Sequence, residues 1–424
     1  MRLFSTGCAL ALAGGLAAQA PASSIPKNDR DVLKAMLRQI KEDLTEHYYD
    51  TRFRGLDVNA AFGDAETKLE AATDISQAMT LLVEPLWQLD DSHTSFYPPN
   101  RSVRVDYGWQ MAMVGDRALI VDVKPGSDAA AKGLEAGDRV LFLNRYQPDR
   151  ANLWQIGFFY RFVRVQALQR LIVMKPDGST KTLEIQSAVT QHPMTQFEDL
   201  LDEIESRWRA ARDREAVIEP ATLVWKMMGF RTEDQMQAAM KRARDAKALV
   251  LDLRGNGGGA VAALRQLVSL VMDHDVHVAT ELGREKTTPV TVKPVSHPFT
   301  GTLVVLVDSQ SASASEVFAR VVQLEHRGTV IGDRTAGAVM ESQVFPHHAG
   351  LRAMAFYATS ITIADLQMSD GASLEHAGVQ PDEILLPSPA DLAARRDPAL
   401  SRALELTGVT MSPERAGRLF DGLK

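Results

Sequence analysis

Apolar and polar positions fall into three textures along this chain. From residue 23 to about residue 100 the apolar positions recur at helical spacing. Val32, Leu33, Met36, Leu37, Ile40 and Leu44 fall on one helical face, with Asp29 or Asp31 near its start. A second helix is predicted from about Ala60 to Ala72. A third starts near Asp74, carries Ile75, Met79 and Leu82, and runs towards Pro85. The segment closes on Asp90-Asp91-Ser92-His93-Thr94 and the breaker Pro98-Pro99.

From 104 to about 188 the texture is that of a small β-rich module. Ala118–Val121 and Val140–Leu143 are strand candidates, separated by the turn Pro125-Gly126-Ser127, a short helix over Asp128–Lys132 and the turn Gly137-Asp138. Pro176-Asp177-Gly178 reads as a hairpin turn between Arg170–Val173 and Lys181–Ile185.

Residues 190–240 are charged and Ala-rich at first, then apolar at Ala221–Trp225. Beyond them, apolar runs alternate with helical patterns. Ala248–Leu251, Leu303–Val307 and Thr329–Ile331 are unbroken runs. The helices Val261–Val271 and Glu316–Leu324 lie between them. Runs of this kind predict strands covered on both faces, as in an α/β core.

Composition narrows the class. Hydrophobic residues make up 45%, charged residues 24% and the formal net charge is −7, an ordinary globular balance. The length predicts two or three domains. A mildly acidic total offers no electrostatic reason to expect nucleic acid. Arg2, the apolar run Cys8–Ala18 and the small-residue sites up to Ala22 form a secretory signal pattern, too short to span a bilayer. We therefore expect residues 1–22 to be removed and the protein to be exported, to a periplasm or the exterior. Cys8 is the only cysteine, so the mature chain would hold no disulfide, thiolate nucleophile or Cys-ligated zinc. No second apolar run reaches spanning length, and no transmembrane anchor is expected.

Four stretches carry candidate chemistry. Asp252-Leu253-Arg254-Gly255-Asn256-Gly257-Gly258-Gly259 directly follows a predicted buried strand. Successive glycines let backbone N–H groups face an anion without side-chain obstruction. The stretch lacks the Lys-Ser/Thr of a P-loop and the register of a dinucleotide fingerprint. Asp308–Glu316 contains Ser311-Ala312-Ser313-Ala314-Ser315 at a strand–helix turn. A serine there can present its hydroxyl beside free helix N-terminal donors. The competing reading is a capping box formed by Ser313 and Glu316. Ser92-His93 offers a base, although this chain has ten histidines. Glu375, ahead of Gly378, could orient a histidine or be a solvated loop charge.

In their order and spacing, these elements resemble the C-terminal-processing (tail-specific) serine peptidase family over nearly the whole mature chain. Val123–Leu141 resembles the usual pattern of a PDZ domain, except that Arg145 stands after Asn144 where a glycine is usual. The resemblance implies a multidomain α/β protein with a helical N-terminal domain (23–103), a PDZ-like domain (104–188) and an α/β core of the crotonase/ClpP-like kind (189–424). It implies Ser313 as nucleophile, with an oxyanion hole from the N–H of Ala314 and of the Gly257–Gly259 turn, Gly258 or Gly259 foremost. Tyr107-Gly108-Trp109 would form the carboxylate-binding loop of the PDZ-like module.

The Ser-Lys branch of this family is excluded at its usual site, because the position 25 residues beyond Ser313 is Ala338. The chain is instead similar to the tricorn-like Ser-His-Glu branch, with His93 as base and Ser92 and Glu375 as its orienting groups. That branch's Asp after the nucleophile is Ala314 here, so its preference for basic residues is not carried over. The expected activity is serine endopeptidase cleavage of unfolded or C-terminally recognised proteins, without metal or organic cofactor. Two alternatives stand beside it: an inactive peptide-binding scaffold of the same fold, and a peptidase using another lysine such as Lys226.

Overall fold

The computed structural model describes residues 25–99, 103–164, 166–191, 212–349 and 355–421. The expected signal segment 1–22, with Cys8, lies outside these. The charged stretch after residue 190 does so from 192 to 211.

The unbroken apolar runs are the strands of a six-stranded sheet. Its order is Glu383–Ile384, Thr329–Gly332, Thr302–Val307, Ala248–Asp252, Thr222–Lys226 and Arg214–Ile218. The first five run parallel, and only the Arg214–Ile218 edge strand is antiparallel. Alternate residues explain the runs. Leu223, Trp225, Leu249, Leu251, Leu303 and Val305 pack with the helices Glu233–Ala243, Val261–Val271 and Ala314–Leu324. Their neighbours Val224, Val250, Val304 and Leu306 pack on the opposite face with the helices Pro398–Leu406 and Pro413–Ala416. The four inner strands are buried on both sides, so no polar alternation is tolerated there, whereas the two edge strands leave Val217 and Ile384 exposed.

Three of these parallel strands release their loops at one carboxyl edge: 253–260, 308–313 and 333–339. In open α/β sheets this edge is where ligands bind.

A second, antiparallel sheet was not foreseen from the sequence. Ser95–Tyr97, Ala355–Met368, Val276–Gly283 and Thr287–Val292 pair in that order, and Met340–Ala349 also pairs with Ala355–Met368. The segment read as helical up to residue 103 therefore ends in a strand. Ser95, Phe96 and Tyr97 pair with Ser360, Thr359 and Ala358.

Before that strand come the three expected helices, Lys27–His47, Val58–Ala71 and Ile75–Trp87. Asp57 and Asp74 cap the second and third through Ala60 and Gln77 N–H. The first begins after Pro26, with Asp29 in its first turn rather than at its cap.

The β-rich module is a five-stranded antiparallel sheet in chain order: Trp109–Val114, Arg117–Val123, Arg139–Leu143, Leu168–Met174 and Thr180–Gln186. A two-stranded pair, Val103–Asp106 with Ala188–Gln191, closes its neck. Asn144, not the following Arg145, takes the positive φ of 55°, and asparagine tolerates that conformation. The module and the N-terminal helices share one apolar cluster, in which Leu82, Leu86, Val163 and Ile185 are fully enclosed together with Ile361 of the antiparallel sheet.

One buried ionic network ties the C-terminal helices to the core. Arg254 reaches both oxygens of Asp252 (2.8 Å each) and both of Asp397 (2.9 and 2.7 Å). Asp397 also caps the helix Pro398–Leu406 through Leu400 N–H. Burial alone would raise the Asp252 carboxyl, but Arg254 and Lys226 hold it well below the usual carboxylate range. Its contribution is therefore present above the unfolded carboxylate value and lost as pH falls towards the lower folded value. Arg254→Ala leaves the buried Asp252 with only the longer Lys226 contact (3.3 Å) and leaves Asp397 without its bidentate partner. A loss of about 3–5 kcal/mol is expected, read as a lowered urea midpoint at neutral pH. A midpoint within error of wild type would refute this role for Arg254.

Candidate active site

The three serines of Ser311-Ala312-Ser313-Ala314-Ser315 have different surroundings. Ser311 and Ser315 are fully buried. Ser311 Oγ donates to Leu253 O (2.8 Å) and Ser315 Oγ to Asn256 O (2.9 Å). Both hydroxyls pin this loop to the glycine-containing turn. Ser313 is half-buried and adopts φ 55°, ψ −121°. That region is costly for an L-residue, about 1–3 kcal/mol, and resembles the sharp strand-to-helix turn that exposes a nucleophile.

Two acceptors hold Ser313 there. Its N–H meets Ala338 O at 2.8 Å and Glu316 Oε2 at 3.0 Å. Glu316 is fully buried and also accepts from Thr335 Oγ1 (2.6 Å), Gly337 N (2.7 Å) and Ala338 N (2.9 Å). Burial pushes its carboxyl up to about 7, against the pull of those donors. The capping reading of Glu316 thus captures its reach back to Ser313 N–H and misses its grip on the 335–338 loop.

The glycine turn lies against this serine. A Cβ on Gly258 would come within 2.7 Å of Ser313 Cβ and 2.9 Å of Ala314 N, so only glycine fits. Asn256, wholly buried, sets the turn. Its Nδ2 donates to Met227 O (3.0 Å) and its Oδ1 accepts Gly258 N–H (2.9 Å). The amide of Gly258 is therefore occupied. Gly259 forms a parallel bridge with Phe230, in which Phe230 pairs with Gly258 O and Ala260 N. That leaves the N–H of Gly259 on the opposite edge. Among the described residues neither it nor the N–H of Ala314 has a protein acceptor.

Ser92, His93 and Glu375 come together although Glu375 lies 283 residues from Ser92. Ser92 Oγ donates to Glu375 Oε2 (2.8 Å) and lies 2.8 Å from His93 Nδ1. A hydroxyl that donates to the carboxylate accepts from the ring, so the network assigns the proton to Nδ1 and leaves a lone pair on Nε2. Nε2 takes no partner among the described residues. Glu375, with its side chain 4% exposed, also accepts Ser92 N–H (2.9 Å) and Val339 N–H (2.8 Å). Ala338 thus holds the serine loop while the adjacent Val339 holds the carboxylate that orients the histidine loop. Burial lowers the His93 pKa, while Glu375 and Asp91 pull it up.

The stretch Tyr107-Gly108-Trp109 does not present a row of open amides. Gly108 N–H donates to Asp106 Oδ1 (2.9 Å), Gly108 O accepts Lys124 N–H (2.9 Å), and Tyr107 OH donates to Tyr160 O (2.9 Å). Trp109 begins the edge strand. The free edge of that strand meets the serine loop instead: Ser309 Oγ donates to Met113 O (2.6 Å) and Gln310 Nε2 lies 3.4 Å from Met111 O. Arg150 adds a second bridge, donating to Gly115 O (2.9 Å), Arg334 O (3.0 Å) and Asp333 Oδ2 (2.7 Å).

Sequence reasoning assigned no role to Thr335 and Val339, which act through a buried hydroxyl and a backbone N–H, nor to Asn256, whose role inside the glycine stretch depends on Met227 O and Gly258 N. Asp91 and Glu316 sit inside stretches that were singled out, but their partners are distant. Among the described residues, no cluster of three or more His, Cys, Asp or Glu could hold a metal.

Residues 221–385 match the model of Peptidase family S41. The carboxyl-terminal-processing protease of Picosynechococcus sp. is 25% identical over 347 residues, covering 78% of this chain and 79% of that protein. The tail-specific protease of Haemophilus influenzae is 27% identical over 310 residues, covering 69% of this chain but 43% of the relative. The structure of mature CPAF complexed with lactacystin superposes with a TM-score of 0.61 at 14% identity, covering 86% of this chain and 95% of that one. That likeness is one of fold. The family match and the processing-protease relatives support a serine peptidase.

The His93 environment makes a direct prediction. In ¹⁵N-histidine NMR of the folded chain, the His93 ring should titrate with a midpoint below its ordinary 6.5, because burial opposes the charged form. Glu375→Gln should move the midpoint lower still, by removing a charge that favours the imidazolium. A wild-type midpoint above 6.5 would contradict the assignment.

Proposed function

We propose that this chain is an exported serine endopeptidase that hydrolyses peptide bonds in unfolded or C-terminally recognised proteins, with Ser313 as nucleophile and His93 as general base. The observation that carries the reading is the hydrogen-bonded link from Glu375 through Ser92 to His93 Nδ1. Through Val339 and Ala338, the same carboxylate is tied to the loop of a conformationally strained serine.

The chemistry follows from these groups. His93 Nε2 takes the Ser313 hydroxyl proton as Oγ attacks the scissile carbonyl carbon. The carbonyl π-electrons move to oxygen, and the N–H groups of Ala314 and Gly259 receive the oxyanion. Gly258 contributes by allowing close approach, its own N–H being given to Asn256. One such donor is worth roughly 3 kcal/mol in related chemistry. Collapse expels the amine, which takes the proton back from His93. Water then repeats the sequence on the acyl-enzyme. Ser92 and Glu375 keep Nε2 unprotonated before attack and stabilise the imidazolium after it.

Lys226 is a weaker candidate base. Its ammonium lies 3.3 Å from Asp252 Oδ2 and 3.4 Å from Arg254 O, so its donors are engaged by the Asp252–Arg254 network beneath the glycine turn.

The β-rich module is PDZ-like in this reading and recruits substrate by strand addition at Trp109–Val114. An arriving strand would compete for the carbonyls of Met113 and Met111 with Ser309 and Gln310, which lie just before the nucleophile in the chain. Carboxylate capture at Gly108 would require Asp106 to release that amide. Export rests on the N-terminal sequence pattern; among the described residues, no helix is long and apolar enough to cross a membrane.

Ser313→Ala and His93→Ala should each lower cleavage of an unstructured protein by about a thousandfold or more, with products read by mass spectrometry. Lys226→Ala should retain activity; its loss, with His93→Ala still active, would overturn the base assignment. A second experiment compares peptide substrates with free and amidated C-termini. Several-fold higher KM for the amides supports carboxylate recognition. Equal KM would confine the module to reading backbone and side chains.

A further inference from the structure

The base of the proposed reaction sits on a turn, and turns are mobile unless something holds them. Asp91 immediately precedes Ser92-His93 and is 2% exposed. Its Oδ1 accepts the N–H of His93 (2.8 Å), the N–H of Thr94 (2.9 Å) and the hydroxyl of Thr362 (2.7 Å). Its Oδ2 accepts the phenol of Tyr48 (2.9 Å). Tyr48 ends the first helix and is fully buried, and Thr362 is fully buried on the strand Ala355–Met368. The two partners are themselves joined. Tyr49 N–H donates to Thr362 O (3.0 Å), and the Thr94 hydroxyl lies 3.0 Å from that of Thr362.

We propose that Asp91 is a positioning residue for the His93 base, its carboxylate fixing the base turn to the end of the first helix and to the antiparallel sheet. The inference rests on the peptidase reading above and adds to it the group that anchors the base from the backbone side. Glu375 grips the ring through Ser92; Asp91 grips the peptide that carries the ring. Both anions also favour the charged form of the imidazole during proton transfer.

Other charged and titratable groups face this cluster. Arg54, from the turn at 53–55, donates to the carbonyls of Leu89 (3.3 Å) and Asp90. His376 Nε2 lies 2.9 Å from Asp90 O, outside the buried cluster. Arg284 donates to Tyr48 O (2.8 Å), and the Tyr49 phenol lies near Asp365. None of these touches the Asp91 carboxylate through a hydrogen bond, whereas four donors do.

Asp91→Asn tests the role in the full mature chain, with thermal unfolding recorded alongside. Oδ1 can still accept from the turn, but the charge is gone. The expected result is a fall in kcat of about tenfold or more with KM within about twofold, and an acid limb of kcat/KM moved to lower pH. A merely structural role would lower the unfolding midpoint without moving that limb. Wild-type kcat and an unmoved acid limb overturn the proposal. If Asp91→Asn does not fold, Thr362→Val removes one donor and keeps the charge. Reduced kcat with an unchanged acid limb then supports positioning, and wild-type kcat overturns it. Ser313→Ala and His93→Ala run in parallel. If either still cleaves, the peptidase assignment of those groups fails, and the Asp91 role falls with it; if both are inactive, the outcome at Asp91 stands on its own.

Discussion

Ser313 occupies a backbone conformation that an L-residue avoids, and much of the surrounding structure holds it there. The Ala338 carbonyl and the Glu316 carboxylate share its N–H. Glu316 in turn gathers three donors from the 335–338 loop. Gly258 lies where any side chain would strike the serine. The hydroxyls of Ser311 and Ser315 are given to carbonyls beneath the loop. A strained residue persists only when its neighbours over-determine it. Here three loops from adjacent parallel strands do so together.

In the proposed reaction, this constraint bears on the choice of glycine. A turn of three glycines offers several amides, but Asn256 claims that of Gly258. The parallel bridge with Phe230 turns the amide of Gly259 to the other side. The proposed division of labour is between a glycine needed for its missing side chain and a glycine whose N–H has no acceptor among the described residues. Residue type alone cannot distinguish the two roles.

The parts legible in the sequence are those that depend on local pattern. Ala248–Asp252 and Thr302–Val307 read correctly because burial on both faces removes every polar alternation. The helix capped by Asp74 carries its own start signal, whereas the one capped by Asp57 starts at Val58, ahead of the Ala60 expected from periodicity. The loops at Asp252 and Asp308 stood out by composition. Ser92, His93 and Glu375 were singled out through a family resemblance, and their convergence requires tertiary structure. The antiparallel sheet escaped notice because its long strand Ala355–Met368 has polar residues such as Thr359, Ser360 and Thr362 buried among partners, which mimics neither a clean alternation nor an apolar run. Asp91 and Glu316 look like turn and cap residues in sequence. Only their distant donors reveal what else they hold.

The link between Ser92 and Glu375 spans 283 positions, and this has a consequence for the order of events during synthesis. A ribosome makes the base turn, the β-rich module and the serine loop before it makes the carboxylate that orients the histidine. Closing so long a loop is entropically costly and tends to come late in folding. A nascent chain that has not reached residue 375 holds a serine and a histidine without their alignment. In the proposed reaction, competence therefore waits for residue 375 to be made, a timing that follows from the connectivity alone.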